Sequence, residues 1–377
     1  MITYKIIEFT TPVHIGDRGI GVEAHTPIVS STTLYSALVA ALTSLGVRID
    51  LNEPVIIPSS LIPVISISDR EHLLLWLRGL HIILSNGLSK LKAMVNKKIS
   101  LLDYSRAYET LRRVCLVDRS FLDIKDPSEC TINIIDYDNV RVIELVCDNK
   151  TFYVVEAIPF GKALIESKLE KIPKEIILAF NERRIRNVVD RITQSTTPYY
   201  LGLTRYITRT VFLYDINTNI VSLKDVNAAL RLLGDIGLGG ERTYGFGQFK
   251  VLDKRVDEVQ KLTNYIRRSN REYEYTVVQG LYSPSKEELT KSILPRSIYT
   301  CIFHGGRSGL TGFPRSLVLT LQEGSIVHIV EKKFIDGFEI PVIGKIVRDV
   351  IESDIVVRSF SPFHIPLVSL KGDLYGC

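Results

Sequence analysis

Two methionines, one tryptophan and five cysteines stand out for their scarcity in a chain of 377 residues. Cys115, Cys130, Cys147, Cys301 and Cys377 form no C-x-x-C pair and accompany no His-x-x-His, which excludes the usual spacing of a structural zinc site. They are expected as free, buried thiols, and no metal or other cofactor is expected. No stretch of eighteen consecutive apolar residues occurs, the length at which a membrane-spanning helix becomes legible. The opening MITYKIIEFTTPVHIG lacks a basic head and a small-residue cleavage site, so the chain is expected inside the cell, in the cytoplasm. H-E-x-x-H, G-x-S-x-G and paired acids on one helix face are all missing, and with them the signatures of the common hydrolases. Neither sign of charge dominates: 47 Lys and Arg against 42 Asp and Glu leave a net +5, too little by itself to declare a polyanionic partner.

The charge is nevertheless segregated. Residues 181–210 carry six arginines, no lysine and two acids, whereas residues 117–150 carry eight acids against four bases. Two lobes of opposite sign suggest two different partner surfaces. The acidic lobe, with Asp118, Asp123, Asp126, Glu129, Asp136 and Asp138, is expected to face solvent or a basic protein partner. Glycine is also concentrated. GDIGLGGERTYGFG, residues 234–247, holds six of the chain's 24 glycines. Each costs conformational entropy and supplies no packing, so such a cluster needs a reason.

Residues 2–10 alternate as a strand, and TTLYSALVAALTSL places Leu34, Leu38, Leu42 and Leu45 at helical spacing before Gly46. Residues 71–84, EHLLLWLRGLHIIL, read as a buried helix. Residues 141–147 and 151–159 read as a hairpin about Asp148-Asn149, and 181–210 as an extended arm or irregular hairpin ending in a strand. Ser222 with Asp225 opens a helix whose apolar face is Val226, Ala229, Leu230 and Leu233, ending at Gly234. QFKVLDK follows the glycine loop as a strand.

The fold class expected is therefore α+β, in two tandem ferredoxin-like domains of β-α-β-β-α-β order, the topology also used by RNA-recognition modules. The first spans 1–255 with a long insertion at about 47–200. The second, degenerate copy spans 256–377: a strand in EYEYTVVQG, a capped helix in SPSKEELTKSIL, a strand in SIYTCIFHG and a hairpin in SLVLTLQEGSIVHIV.

Three phosphate-cradling motifs fail at the glycine loop on spacing. A dinucleotide fingerprint leaves a strand and opens a helix, the reverse of the order here. A Walker loop needs Lys-Ser/Thr after its last glycine, and a kinase loop needs a lysine, His-Arg-Asp and Asp-Phe-Gly that this chain lacks. What remains is a loop leaving a helix C-terminus with exposed N–H groups, Arg242 to fork a phosphate and Tyr244 to stack a base. That chemistry suits a nucleic-acid backbone.

Here the residues carry a resemblance. Helix, then G-x-G-G-x-x-x-x-G-F-G-x-F, then strand resembles the signature loop of the RAMP superfamily, the repeat-associated RNA-binding proteins of CRISPR systems. FTTPVHIGDRG followed by SSTTLYSALVAAL, RNVVDRIT at 186–193 and VVRSFSPFHIPL at 356–367 resemble the type III (Csm-type) effector subunit that caps the guide's 5′ end. At Thr32-Thr33-Leu34 this chain departs from the usual Ser-Asp-Thr-Leu, having no aspartate. The resemblance implies a non-catalytic scaffold that grips the 5′ handle of the CRISPR RNA, docks the large cyclase/nuclease subunit and starts the stack of backbone RAMP subunits, with no membrane partner. It implies RNA contacts in the loop at Gly237, Gly239, Gly240, Arg242, Thr243, Tyr244, Gly245, Phe246 and Gly247, and a thumb-like arm. In the arm, Arg183, Arg184, Arg186, Arg191, Arg205 and Arg209 fit phosphates, Asn187, Thr193 and Gln194 fit base edges or 2′-hydroxyls, and Tyr199 and Tyr200 offer stacking faces. His14 and Gly16 after the first strand, and Arg307 in the later glycine loop, complete the RNA-binding candidates. The alternatives are a repeat-processing endoribonuclease using His14 as acid or base, or a target-cleaving backbone subunit using Asp17 with a metal.

Overall fold

The computed structural model describes residues 2–16, 25–49, 53–95, 98–138, 140–168, 172–269, 273–291, 293–307, 312–329, 333–335, 338–340, 344–351 and 354–370. The first strand, β1 (Ile2–Phe9), leads to helix α1 (Ser31–Ser44), whose N-cap Ser30 accepts from the Thr33 amide. Three strands follow: β2 (Ile56–Pro58), β3 (Ile62–Ile67) and β4 (Arg70–Trp76). Next come helices α2 (Leu80–Ile83), α3 (Ser85–Ala93) and α4 (Leu101–Arg112), then strands β5 (Val114–Asp118), β6 (Thr131–Tyr137), β7 (Val140–Cys147), β8 (Lys150–Ile158), β9 (Gly161–Glu166) and β10 (Glu175–Ile177). A long hairpin, β11 (Ala179–Val189) and β12 (Thr196–Tyr206), precedes β13 (Arg209–Ile216), α5 (Leu223–Ile236) and β14 (Phe249–Leu252).

Most of these strands form one large, mostly antiparallel sheet in the order β14-β1-β13-β3-β4-β5-β9-β8-β7-β6. Its first strands alternate with α1 and α5, and β1 lies between β13 and β14. Period-two alternation divides their side chains between two cores. Ile7, Phe212, Tyr214 and Phe249 pack under α1 and α5, while Ile6, Val211 and Leu213 join the opposite core with Val259 and Leu262. The latter two come from α6 (Asp257–Arg268). Residues 62–177 do not hang off this frame; they extend its sheet outward from β3.

Residues 71–84 correct the sequence reading. Residues 71–76 of the expected helix belong to β4, flanked by β3 and β5, with Leu73, Leu74, Leu75 and Trp76 all buried, and only Leu80–Ile83 are helical. A strand covered on both faces loses its alternation and reads as a continuous apolar run. A second correction concerns sulfur: Cys130 and Cys147 form a disulfide. The β6–β7 register pairs Thr131 with Val146, so residues 130 and 147 face each other one step beyond, a proximity that linear spacing conceals. Cys115 is free and buried and Cys301 free but exposed; Cys377 lies outside the described residues. The acidic lobe is also only partly as expected. Asp123, Asp126, Glu129, Asp136 and Asp138 are exposed, but Asp118 is buried and bonded to His72 Nδ1 at 2.5 Å.

Beyond α6 come β15 (Tyr275–Val278), α7 (Lys286–Thr290), β16 (Cys301–His304), β17 (Val318–Leu321), β18 (Ile326–His328), β19 (Lys333–Ile335), β20 (Phe338–Ile340), β21 (Ile346–Ile351), β22 (Asp354–Ser359) and β23 (His364–Pro366). Helix α7 carries a full capping box between Ser285 and Glu288. The hairpin expected in 316–330 does not form: β17 pairs with β16, whereas β18 joins β15 and β23. The turn between them is drawn into the first half, where the Arg78 amide and Nε donate to the carbonyls of Gly324 and Glu323 at 2.8 and 2.9 Å. Among the described residues no helix is long and apolar enough to cross a membrane.

Candidate nucleic-acid interface

Helix α5 buries Val226, Ala229, Leu230 and Leu233, the stripe its sequence spacing predicts, and Ser222 caps it by accepting from the Asp225 amide. It ends at Gly237, whose N–H still reaches the Leu233 carbonyl at 2.8 Å. The chain then doubles back on itself and on the segment after β1. Leu238 donates to the Gly247 carbonyl at 2.9 Å, Gly240 to the His14 carbonyl at 2.8 Å, and Gly247 to the Pro12 carbonyl at 2.8 Å.

These contacts answer why glycine is needed. Gly239 has φ +90° and a Cβ there would sit 2.4 Å from the His14 oxygen; at Gly247, with φ +77°, it would sit 2.0 Å from the Leu238 oxygen. Backbone lies directly on backbone, and no side chain fits. This differs from the expected open row of N–H groups, because most loop amides are spent inside the protein. The loop offers solvent only its tip, a 3-10 turn at Arg242–Tyr244, where Arg242 and Thr243 are exposed and Tyr244 is 64% exposed.

The arm is a regular hairpin, paired from Ala179↔Tyr206 to Val189↔Thr196. Alternation gives it two unlike faces. One face, with Arg184 and Arg186, lies on the glycine loop. The Arg186 guanidinium stands 3.8 Å over the Tyr244 ring and its Nη1 is 3.4 Å from Glu241 Oε2, while Arg184 sits 5.1 Å over Phe246. Phe246 is buried in a small cluster with Leu201 and Leu203. Phe246 therefore anchors the arm and presents no open stacking face, and Tyr244 has one ring face already occupied by Arg186. The other hairpin face leaves Arg183, Ile185, Asn187 and Tyr200 exposed.

The remaining arm residues divide. Glu182 forms ion pairs with Arg205 and Arg184, and the Arg205 hydrogen bond holds its carboxyl below the ordinary value. Tyr199 is half-buried opposite Arg186. At the exposed tip, Asp190 accepts from the amides of Ile192 and Thr193, and Thr193 Oγ1 bonds Ser195 Oγ at 2.9 Å. Arg191 and Gln194 share that tip. Arg209 is not brought to the site: it opens β13 and pairs with Glu71 at 2.8 Å. Among the described residues, Arg183, Arg191 and Arg242 make no ion pair.

His14 is 7% exposed and its Nδ1–H donates to the Gly202 carbonyl at 2.7 Å, tying the segment after β1 to the hairpin base. Its carbonyl holds Gly240, so one residue fastens loop and arm together. Gly16 is exposed and bridges to His25, whose Nε2 lies 3.4 Å from Asn181 Oδ1. Asp17 lies outside the described residues. Arg307 belongs to a separate loop after β16, where its Nη1 donates to the Gly312 carbonyl at 3.0 Å. Among the described residues no group of three or more His, Cys, Asp or Glu could hold a metal ion. The sequence reading missed Glu241 and Gly202, the acceptors that fix Arg186 and His14; the alternation of Arg184 and Arg186 was the signal for a docked face.

The sequence model of the RAMP superfamily matches residues 6–250. No curated protein sequence matches the chain. Among solved structures, a chain of the Csm3–Csm4 subcomplex of a type III-A CRISPR–Cas interference complex is similar at a TM-score of 0.52 and 18% identity, covering 96% of this chain and 99% of its own. At that identity it speaks for the fold alone. A chain of a Csm1–Csm4 cassette in complex with pppApA scores 0.42 at 13% identity, covering 97% of this chain and 98% of its own. A chain of a type III-B Cmr-beta complex bound to cognate target RNA and AMPPnP scores 0.37 at 12% identity, with 86% of each chain covered.

Proposed function

The chain belongs to the RAMP superfamily, and from that premise we propose that it is a non-catalytic RNA-binding scaffold of a type III CRISPR–Cas interference complex, gripping the 5′ handle of the CRISPR RNA. The observation that carries this reading is the docked pair of loop and hairpin. Arg184 and Arg186 are consumed in fastening the arm to Tyr244 and Phe246, while Arg183, Arg191 and Arg242 stand exposed around the same unit. Exposed arginines on a rigid β-frame give phosphate contacts at low ordering cost. Tyr200 and Asn187, on the outer hairpin face, supply a stacking surface and base-edge contacts.

The scaffold role also fits His14. Its ring is buried and one nitrogen is committed to a carbonyl, which suits a structural clasp better than proton transfer to a phosphodiester. In this reading the architecture is two tandem ferredoxin-like units, 1–255 with the insertion and 256–377. The adjacency β14-β1-β13-β3 supports the first, and the smaller β18-β15-β23 sheet is the basis for the second. The partners are the guide RNA, the large cyclase/nuclease subunit and the backbone RAMP subunits, with the cytoplasm as the working compartment.

Competition between labelled RNAs of matched length, carrying or lacking the repeat-derived 5′ segment, tests the handle. The handle-bearing RNA should bind about tenfold tighter or more, a difference of about 1.4 kcal/mol. Equal affinities would reduce the protein to a general RNA binder and remove the capping role.

A further inference from the structure

Arg315, just before β17, and Arg358 of β22 belong to a cluster that the RNA-facing unit does not use. After β16 the chain passes Gly305 and Gly306, and Arg315 folds back over them, donating from Nη2 to the Gly305 carbonyl at 3.1 Å. Behind it lies Arg358 of β22, fully buried. Arg358 donates from Nε to Asp349 Oδ2 at 2.9 Å and from Nη2 to the Ser316 carbonyl at 2.9 Å. Asp349 Oδ1 is taken by the Ser316 amide at 3.1 Å and by the Ser316 hydroxyl.

Charge and donors therefore do not balance. Among the described residues one carboxylate, with both oxygens engaged, stands against two guanidiniums. Two buried N–H-bearing atoms, Arg358 Nη1 and Arg315 Nε, meet no acceptor among the described residues. A buried donor without an acceptor costs about 1–3 kcal/mol, and more when it is charged. His304 does not help, since its Nε2 is engaged with Thr32 Oγ1 at 3.0 Å. Its ring and the Arg358 guanidinium share Phe360, at 6.0 and 5.5 Å from that ring's centre. Burial, then the charges of Arg315 and Arg358, push the His304 pKa down to about 3; burial and Arg358 push that of Arg315 down to about 10. Burial is the larger cause of both shifts, and the neighbouring guanidiniums add to it. Thr32 lies in the first turn of α1, whose positive end adds to the charge of the guanidiniums.

We propose that Arg315 and Arg358 hold one phosphoryl-type oxyanion at this cluster. Such a group brings the missing negative charge and enough oxygens to accept from two guanidiniums on different segments, which a single carboxylate already fails to satisfy here. The group could be free phosphate or a phosphate of a nucleic acid. The site stands independently of the loop-and-hairpin reading, which involves none of these residues.

The test uses the full-length chain and calorimetric titration with inorganic phosphate, against chloride at matched ionic strength. The wild type should bind phosphate saturably and chloride not at all. Arg315→Leu, which strips the surplus guanidinium, and Arg315→Lys, which keeps charge but removes Nε, should each weaken phosphate binding about tenfold or more. Folding of both variants is checked by circular dichroism; should either fail, the wild-type titration alone decides whether an oxyanion binds. A parallel titration with a single-stranded RNA separates the sources. Loss of RNA affinity in Arg315→Lys together with competition by phosphate assigns the site to a nucleic-acid phosphate. Unchanged RNA affinity with lost phosphate binding assigns it to the free anion. No saturable phosphate binding by the wild type, or undiminished phosphate binding in folded Arg315 variants, overturns the proposal.

Discussion

Replacing Arg183, Arg191 and Arg242 together by glutamine should flatten the salt dependence of RNA binding without loosening the fold. These three are exposed and make no ion pair among the described residues, whereas Arg184, Arg186, Arg205 and Arg209 are each paired with a glutamate. An arginine already neutralised by a carboxylate releases few counterions, so the three open ones should carry the slope. Each phosphate contact contributes about 0.7 to the log–log slope for a single strand, so three removed contacts lower it by about 2. Between 50 and 200 mM salt that changes the wild-type to variant affinity ratio by roughly twentyfold. Fluorescence anisotropy with a labelled RNA, at four or five salt concentrations, measures both slopes. Parallel slopes would show that these side chains do not meet phosphates and would refute the reasoning, provided both proteins melt at the same temperature.

Other perturbations follow from the same geometry. Gly239→Ala drives a methyl against the His14 carbonyl oxygen at 2.4 Å, whereas Gly245→Ala meets nothing within 4 Å and bears only the strain of φ +77°. The first should cost roughly 3 kcal/mol and the second about 1–2, read from urea melts. His14→Ala leaves the Gly202 carbonyl without its donor, so it should lower stability by about 1–3 kcal/mol and weaken RNA binding while creating no change in RNA integrity. Asp118→Ala leaves the His72 ring and the Ser120 amide without their acceptor and should cost about 1–3 kcal/mol per stranded donor. Burial alone would raise the Asp118 carboxyl, but His72 and Ser120 together bring it below the ordinary value. Its stabilisation is therefore present above the unfolded value of about 3.9 and is lost as pH falls through the folded one. Urea melts at pH 5 and pH 3 should accordingly show a smaller pH dependence in the alanine variant than in the wild type.

What the sequence made legible was local. The α5 cap and stripe, the loop's departure from a helix end, and the turn at Asp148-Asn149 each rest on neighbours in the chain, and each lies where the spacing puts it. Strand β4 was illegible because burial on both faces erases the two-residue period that distinguishes strand from helix. Cys130 and Cys147 were illegible as a pair because only the β6–β7 register brings them together. At the candidate site, the arginine-rich arm and the glycine loop were visible as composition, but their division of labour was not. Whether an arginine stacks on Tyr244 or points to solvent depends on which hairpin face docks, and that is decided by Leu201, Leu203 and Phe246 closing a small apolar cluster.

The most direct measurement incubates the purified chain with end-labelled repeat RNA, with and without a divalent metal, and scores binding and cleavage on one gel across a salt series. A scaffold that caps the guide gives salt-sensitive binding and an intact RNA under every condition. A single metal-independent cut, abolished by His14→Ala in a protein that still binds, would contradict the scaffold reading and make this chain a processing nuclease.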